Sequence, residues 1–297
     1  MGEARWLTVR AAGGRDLEVL VDGPDGGTVL LFHDGTPTAA VRKPYVVNPA
    51  AQRGMRTVTY SRPGYAASTP QPGRTVADAA QDSEAILDAL HADHFVTLGW
   101  SGGGPHALAC AALLPERCAA AATMAGVAPY DAGLADWFSG MGPENIAEFG
   151  AAVEGERALS AFLEKAAADL KIVSGQDIVA ALGGLVSDAD KSALTGEFAD
   201  VLAESFRRAV STGIAGWRDD DLAFTRQWGF ALNTVRVPVA IWQGAQDRMV
   251  PFEHGRWLAA NVAGAQSRLL DDEGHLSLIN HMDRIIEDLV ELGTEQR

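Results

Sequence analysis

One serine lies in a glycine-rich turn of a kind that can hold a nucleophile. Ser101 has Gly99 and Gly103 two positions away on either side, and the turn joins the apolar run 95–98 to the helical-looking run 106–114. A serine on such a sharp strand-to-helix turn needs glycine neighbours, because a Cβ there would collide with nearby backbone. The turn would also place the hydroxyl near a helix N-terminus, where free N–H groups favour developing negative charge. The pattern Gly-x-Ser-x-Gly therefore predicts a nucleophilic serine.

A glycine-rich turn after a strand can instead bind phosphate, and chance matches occur in a chain with 32 glycines. However, no Gly-Lys-Ser/Thr sequence accompanies this turn, and no Gly-x-Gly-x-x-Gly sequence fits the junction between the strand and the helix. The nucleophile interpretation is therefore favoured over the phosphate loop.

A serine hydroxyl is inert at neutral pH unless a base removes its proton and an acid orients that base. Two residues late in the chain supply these types. Asp247 follows the apolar run 238–243, and His275 follows the short apolar run 268–270. If both runs are strands, both side chains lie at the carboxyl ends of strands, where open α/β sheets gather their sites.

A second loop can complete such a site. The run 28–32 predicts a strand buried on both faces, and it ends at the segment 33–37, which contains a Gly-x-Pro sequence. A backbone N–H of this segment would then lie beside the serine turn and, with the N–H of the residue after the serine, could bind an oxyanion. An ordinary strand-to-helix turn with proline as punctuation explains this segment equally well.

Strands and helices alternate through most of the chain and would position these residues. The predicted elements are a hairpin at 7–21, strands at 28–32, 55–60, 95–98, 119–124, 238–243 and 268–270, and helices at 75–90, 106–114, 253–261 and 276–292. Alternation of this kind predicts an α/β fold with a mostly parallel central sheet flanked by helices.

Residues 131–230 break the alternation, since they contain helical stretches and no convincing strand. The helical stretches are 146–153, 158–172, 189–194 and 198–210. A segment of this length is too long for a loop in a compact domain. We therefore predict an α/β core formed by residues 1–130 and 231–297, with residues 131–230 as a helical cap. The acidic run 219–221 in the cap is interpreted as a solvated face or a helix cap, with recognition of a substrate amine as the alternative.

Composition excludes several classes of partner. The net charge of −15 disfavours nucleic acid and anionic membrane surfaces, because both need a basic patch. No apolar stretch is long enough to span a membrane, and residues 1–14 lack the apolar run of a secretory signal. Cys110 and Cys118 fit neither a disulfide framework nor a redox motif, and no cluster has metal-ligand spacing. We therefore expect a cytoplasmic enzyme without a metal or cofactor.

Taken together, the motifs resemble those of the α/β-hydrolase superfamily, in the serine-hydrolase branch that carries a helical cap. The resemblance rests on the runs 99–103 (Gly-Trp-Ser-Gly-Gly), 244–251 (Gly-x-x-Asp-x-x-Val-Pro) and 274–275 (Gly-His), in the order Ser, Asp, His, and it covers essentially the whole chain. Two loops depart from the family pattern. Asp34 stands where the oxyanion loop usually has histidine, and Ser61 replaces the first residue of an Asp-Arg-Pro-Gly-Tyr sequence.

The resemblance implies a role for each site residue. Ser101 would attack a carbonyl carbon, His275 would act first as base and then as acid, and Asp247 would orient the imidazolium. The N–H groups of Thr36 and Gly102 would hold the oxyanion. The implied reaction is cleavage of a carboxylic ester or lactone of a small molecule through an acyl-enzyme, with the cap supplying specificity. Haloalkane dehalogenases and epoxide hydrolases of this fold use aspartate at the elbow, so the serine argues against both.

Other functions stay open at this point. A proline-iminopeptidase-like aminopeptidase shares the fold and the cap, but those relatives tend to have glycine before the nucleophile and tryptophan after it, whereas here Trp100 precedes Ser101 and Gly102 follows it. Carbon–carbon hydrolases, lyases and cyclases of this fold also keep a Ser-His-Asp set. A non-catalytic ligand-binding protein is the least favoured alternative, because such members usually lose the histidine. The sequence leaves open whether the chain forms a homo-oligomer.

Overall fold

The computed structural model describes residues 4–294, so the first three residues of the N-terminal stretch and the last three residues of the chain lie outside it. One sheet of eight strands runs through the described residues. The strands are β1 (Arg5–Arg10), β2 (Asp16–Asp22), β3 (Thr28–His33), β4 (Met55–Tyr60), β5 (Phe95–Trp100), β6 (Cys118–Met124), β7 (Val239–Gly244) and β8 (Gln266–Leu270).

The sheet has the spatial order β1-β2-β4-β3-β5-β6-β7-β8. β2 is antiparallel to both of its neighbours, β1 and β4, whereas the pairs from β4 to β8 are all parallel. Parallel neighbours need crossover connections, and helices supply them on both faces of the sheet. The prediction of a mostly parallel sheet with an antiparallel hairpin at its edge is confirmed.

The central strands are apolar on both faces because both faces are covered. Along β3, Leu30 and Phe32 pack into one core cluster, whereas Val29 and Leu31 pack into the other. Every residue of β5 is buried, which explains why it appears in the sequence as a continuous apolar run rather than an alternating one.

Five helices belong to the core around the sheet. They are α1 (Pro44–Gln52), α2 (Asp78–Ala89), α3 (Gly103–Leu113), α10 (Phe252–Asn261) and α11 (Met282–Thr294). α1 and α11 cover one face of the sheet, and α2, α3 and α10 cover the other. The sequence did not predict α1, which begins with Pro44 and contains Pro49. It forms because Val46 and Ala50 bury their side chains against the sheet.

Six further helices lie between β6 and β7, and we refer to them together as the helical segment. They are α4 (Pro143–Glu154), α5 (Glu156–Leu170), α6 (Ile178–Leu182), α7 (Asp188–Ala193), α8 (Gly196–Ala209) and α9 (Ala215–Phe224). The segment agrees with the helical stretches expected from the sequence, except that α6 and α9 were not predicted. No helix among residues 4–294 has the length and apolar character needed to cross a bilayer.

Candidate active site

Ser101 lies at the tip of the turn between β5 and α3. Its φ is +56°, in the left-handed region that serine seldom occupies, and its N–H donates to the carbonyl of Met124 over 2.8 Å. A Cβ on Gly99 would overlap the backbone of Gly103, so the turn closes this tightly only with glycine at position 99. Strain of this kind is concentrated at functional sites, where the surrounding structure holds it in place.

The acid and base candidates meet at the carboxyl ends of β7 and β8. His275 Nδ1 lies 2.8 Å from Asp247 Oδ2, and both side chains are buried. Asp247 Oδ1 accepts hydrogen bonds of 2.8 Å from the N–H groups of Met249 and Val250, and Oδ2 accepts one of 3.0 Å from the side-chain amide of Gln243. Because the carboxylate accepts from Nδ1, the proton of the neutral ring resides there and Nε2 is left to act as a base.

The surroundings of His275 raise the pKa of its imidazole above the ordinary value. Burial by itself disfavours the charged ring, but the negative charge of Asp247 and its hydrogen bond outweigh burial, and the charge of Asp190 adds to them. The indole ring of Trp100 also stacks against the imidazole, with centroids 6.1 Å apart and an angle of 28° between the ring planes. The imidazolium that would form on proton transfer is therefore stabilised and held in one orientation.

Ser101 and His275 line the same cavity, whose volume is about 310 Å³. Among the described residues, the Ser101 hydroxyl forms no hydrogen bond with the imidazole, while the His275–Asp247 bond is already made. Hydrogen bonds between a nucleophile and its base often tighten only when substrate binds. The structure thus brings the serine and the hydrogen-bonded acid–base pair to one cavity.

Thr36 and Gly102 lie side by side next to the nucleophile candidate. A Cβ on Gly102 would lie 2.6 Å from Thr36 Oγ1, and a Cβ on Gly35 would lie 3.4 Å from the Cβ of Ser101. Within residues 4–294, neither the N–H of Thr36 nor that of Gly102 donates to a protein acceptor. Gly102 also directly precedes α3, whose N-terminal end carries a partial positive charge. The two residues that the sequence predicts for an oxyanion hole therefore lie together beside Ser101, with their N–H groups not engaged by the described residues.

Arg62 holds the loop that carries Thr36. Its guanidinium donates to the carbonyl of Asp34 at 2.6 Å, to the carbonyl of Gly35 at 2.8 Å and to Thr36 Oγ1 at 2.9 Å. The same group forms a buried ion pair with Asp220 of α9, with Nη2 2.6 Å from Oδ2. One arginine therefore ties the oxyanion loop to the helical segment.

Asp220 accepts further hydrogen bonds from the core. Its carboxylate lies 2.6 Å from Arg74 Nη1, 2.8 Å from the Tyr65 hydroxyl and 2.9 Å from Thr36 Oγ1. Burial opposes the charge of this carboxylate, but the two neighbouring guanidinium groups outweigh burial and hold its pKa well below the usual range. All three residues of the acidic run 219–221 are buried, so the interpretation of this run as a solvated face is wrong.

Asp34, which departs from the family's loop pattern, forms a second buried ion pair. Its Oδ2 lies 2.6 Å from Lys43 Nζ, and its Oδ1 accepts a hydrogen bond of 2.9 Å from the N–H of Gly35. His33 instead lies in the core, with Nε2 3.5 Å from Cys110 Sγ, and burial lowers its pKa to about 3. The imidazole of His33 is therefore neutral, while the Asp34–Lys43 pair gives the oxyanion loop another anchor.

Asp190 on α7 is a site residue that the sequence did not reveal. Its Oδ1 accepts hydrogen bonds from the N–H groups of Leu276 and Ser277, at 2.6 and 3.0 Å, directly after His275. Its Oδ2 accepts one of 2.8 Å from the Ser187 hydroxyl. The spacing Ser-x-x-Asp is a signal for a helix start, but nothing in it identifies partners 86 and 87 residues away.

The remaining cavity wall is largely apolar and comes mainly from the helical segment. The larger apolar side chains that the helical segment contributes to this wall are those of Phe149, Phe162, Leu170, Leu182, Leu185, Leu202, Phe206, Trp217 and Phe224. Four carboxyl groups from the same segment also line it, those of Glu144, Glu148, Asp169 and Asp221. An apolar wall with a few polar groups suits a small organic molecule.

The candidate metal ligands and thiols do not form a further centre. Within residues 4–294, no group of three or more His, Cys, Asp or Glu side chains is arranged to hold a metal ion. Cys110 and Cys118 are both buried and unpaired, and burial raises the pKa of Cys110 to about 12. Both cysteines therefore have the character of small core residues rather than reactive thiolates.

Known proteins resemble the chain over nearly its whole length. It is 29% identical over 253 residues to a pimeloyl-[acyl-carrier protein] methyl ester esterase of Aromatoleum aromaticum, an alignment that covers 82% of this chain and 91% of that protein. An alpha/beta hydrolase fold protein from Nakamurella multipartita matches with a TM-score of 0.65 and 26% identity, covering 98% of this chain and 100% of that chain. An esterase from Exiguobacterium antarcticum matches with a TM-score of 0.68 and 19% identity, covering 97% of this chain and 98% of that chain.

The model of a single family accounts for strands β3 to β8, the serine turn and the loops that carry Asp247 and His275. That family is described as the alpha/beta hydrolase fold, and the match extends over residues 28–282. Because the match includes every candidate site residue and the whole helical segment, the chain belongs to the alpha/beta hydrolase fold family of enzymes, as its sequence motifs indicate.

Proposed function

We propose that this enzyme is a serine hydrolase that cleaves a carboxylic ester or lactone of a small molecule through an acyl-enzyme. The observation that carries the proposal is the position of Ser101. It lies on a left-handed turn at a cavity that it shares with the hydrogen-bonded pair His275–Asp247. The names of two of the matching proteins, both esterases, favour ester cleavage over the other reactions of this fold.

In the proposed reaction, Ser101 Oγ attacks the carbonyl carbon while His275 Nε2 takes up the hydroxyl proton. The resulting oxyanion accepts hydrogen bonds from the N–H groups of Thr36 and Gly102. His275 then protonates the leaving alcohol, and the acyl group remains on Ser101. Water deprotonated by His275 attacks this ester, with the same N–H groups holding the second oxyanion. His275 then returns the proton to Ser101 Oγ as the acid leaves.

The helical segment is proposed to act as the cap that selects the substrate, within the region 131–230. It contributes most of the cavity wall, while the serine, the base and the oxyanion loop come from the core. Selection and chemistry would therefore reside in different parts of the chain, a division that lets one core serve many substrates.

The first test is intact mass after exposure to a fluorophosphonate, a reagent that phosphonylates activated serines. We expect one adduct on the wild type and none on Ser101→Ala, together with hydrolysis of p-nitrophenyl acetate that Ser101→Ala loses by several orders of magnitude. Folding of the variant is checked by circular dichroism. Turnover close to that of the wild type in folded Ser101→Ala would refute the assignment of the nucleophile.

A panel of substrates separates the proposed reaction from amide cleavage. Esters of small acids should be hydrolysed faster than proline p-nitroanilide, which an aminopeptidase would prefer. An adduct on Ser101 without hydrolysis of any ester or lactone would instead favour a carbon–carbon hydrolase, lyase or cyclase.

A further inference from the structure

Two carboxyl groups of the helical segment meet in the cavity wall, and neither forms an ion pair with a cationic side chain of residues 4–294. Asp221 of α9 is fully buried, and neither of its oxygens receives a hydrogen bond from an N–H or O–H donor of the described residues. Its side chain is within hydrogen-bonding reach of Glu148 of α4. Glu148 in turn accepts a hydrogen bond of 2.6 Å from the indole N–H of Trp217. Both residues are among those that line the cavity.

The position of Asp221 on α9 places this pair close to the nucleophile. Trp217, Asp221 and Phe224 follow at helical spacing, and all three line the cavity. A Cβ on Gly102 would lie 3.0 Å from the ring of Phe224, so that residue contacts the serine turn. Asp221 is one turn before it, about 5 Å along the helix axis. Phe224 at the serine turn and the carboxyl pair one helical turn away therefore line the same cavity.

The charged surroundings of the Glu148–Asp221 pair differ from those of the adjacent Asp220. Asp220 is neutralised by Arg62 and Arg74, whereas no lysine or arginine is among the described residues that line the cavity. The charged groups that act on Asp221 are Glu148 on α4 and Asp220 on its own helix, which raise its pKa, and Arg74 before α2, which lowers it.

Burial is the largest influence on the pair, and it raises the pKa of both Asp221 and Glu148, with the charge of Glu148 raising that of Asp221 further. Two carboxyl groups in contact titrate as a pair, and each disfavours the negative charge of the other. Among the described residues that line the cavity, no lysine or arginine offsets the negative charge that the pair carries when it ionises.

We propose that Glu148 and Asp221 bind a cationic nitrogen of the substrate. The proposal rests on the proposed function, because the cavity is taken to be the substrate site. A bound cation favours the ionised form of both carboxyl groups, so any proton that the pair holds leaves for solvent and two carboxylates face one ammonium group. The indole of Trp217 and the ring of Phe149, which line the same cavity, would pack against the carbon atoms beside the nitrogen or lie over the charge itself.

The test compares 3-phenylpropylamine with 3-phenylpropan-1-ol, which have similar shapes and differ in charge. Each is measured as a competitive inhibitor of p-nitrophenyl acetate hydrolysis. For the wild type at pH 8 we expect the inhibition constant of the amine to be at least about tenfold lower than that of the alcohol, since hydrogen bonds to charged groups are the stronger ones. Affinity for the amine should fall from pH 8 to pH 6, as the pair retains its proton, while affinity for the alcohol should stay constant.

The double variant Glu148→Gln/Asp221→Asn keeps the shape of both side chains and removes their charge. We expect it to bind the amine and the alcohol equally. The matched control is Glu154→Gln, an exposed residue at the end of α4, which should keep the preference of the wild type. The same two ligands are also measured by calorimetry, so that the result does not depend on turnover.

The outcomes separate this proposal from the proposed function. Equal affinity of the wild type for amine and alcohol, or an unchanged preference in a folded double variant, would overturn the cation site even if Ser101 is acylated. A preference for the amine in a protein without esterase activity would uphold the cation site and overturn the proposed reaction.

Discussion

Two adjacent aspartates of α9 should respond in opposite ways to the same isosteric substitution. Asp220→Asn removes the charge that two buried guanidinium groups share, those of Arg62 and Arg74, each only 3% exposed. Asp221→Asn removes a carboxyl group that forms no hydrogen bond with a cationic side chain of residues 4–294 and whose pKa burial raises. Asp220→Asn therefore leaves two buried arginines without their counter-ion. Asp221→Asn leaves only a neutral amide.

The size of the difference follows from these surroundings. Removing one partner of a buried ion pair destabilises a protein by about 3–5 kcal/mol, because the remaining charge has lost both water and its counter-ion. For a chain of this size we expect the Tm of Asp220→Asn to fall by at least about 6 °C. Asp221→Asn should change the Tm by less than about 2 °C or raise it, since an amide is cheaper to bury than a carboxyl group that resists ionisation.

The pH dependence of the two effects has opposite signs. The pKa of Asp220 is lowered in the folded state, so its contribution to stability is present above the unfolded value of about 3.9 and is lost as the pH falls further. The pKa of Asp221 is raised, so ionisation in the unfolded state destabilises the fold above about pH 3.9. Any gain from Asp221→Asn should therefore be larger at pH 7 than at pH 4.

Thermal melts and urea titrations of the wild type and both variants at pH 4 and pH 7 measure these differences. The adjacent substitution serves as the control for each variant, because both lie in the same helix and make the same chemical change. Equal losses of stability in the two variants, or a Tm of Asp220→Asn within about 1 °C of the wild type, would refute the assignment of the buried charges.

Three further predictions concern catalysis. Because the pKa of His275 is raised, the acidic limb of the kcat/KM profile should have its midpoint above pH 6.5, the ordinary value for histidine, and a midpoint below it would contradict the described contacts. Asp190→Asn removes a negative charge near this ring, so the limb should move to lower pH; Asp188→Asn, exposed on the same helix, should leave it in place, and equal shifts would count against the argument. Gly102→Ala brings a methyl group against Thr36 Oγ1, so kcat for p-nitrophenyl acetate should fall by about 10²-fold with the fold retained, and an unchanged kcat would argue against the oxyanion assignment.

Local sequence patterns were sufficient to predict the sheet and the serine turn. The turn at Ser101 depends on glycines within a few residues, and strands such as β5 and β7 are continuous apolar runs because both faces of the sheet are covered. In the same way, the segments that precede Asp247 and His275 end where turn residues begin. Each of these features can be predicted from a short stretch of sequence, without knowing which distant segments contact one another.

The surroundings of the site could not be predicted because they depend on distant partners. Asp220 lies in an acidic run whose composition is typical of a solvated surface. Its burial depends on Arg62 and Arg74, which are 158 and 146 residues away. Asp190 likewise lies in a local capping sequence. Its hydrogen bonds to the backbone after His275 depend on a distant part of the chain, so no local pattern predicts them. Helix α1 was missed for a related reason, since two prolines hide a helix that tertiary packing stabilises.

The helical segment contacts the candidate active site at two separate places. Asp220 binds the arginine that holds the loop of Thr36, and Asp190 binds the backbone that follows His275. Moving the segment away from the sheet would break both attachments at once. The loop and the imidazole would then lose partners that hold them in position, so we expect the geometry of the candidate site to depend on the segment staying in place.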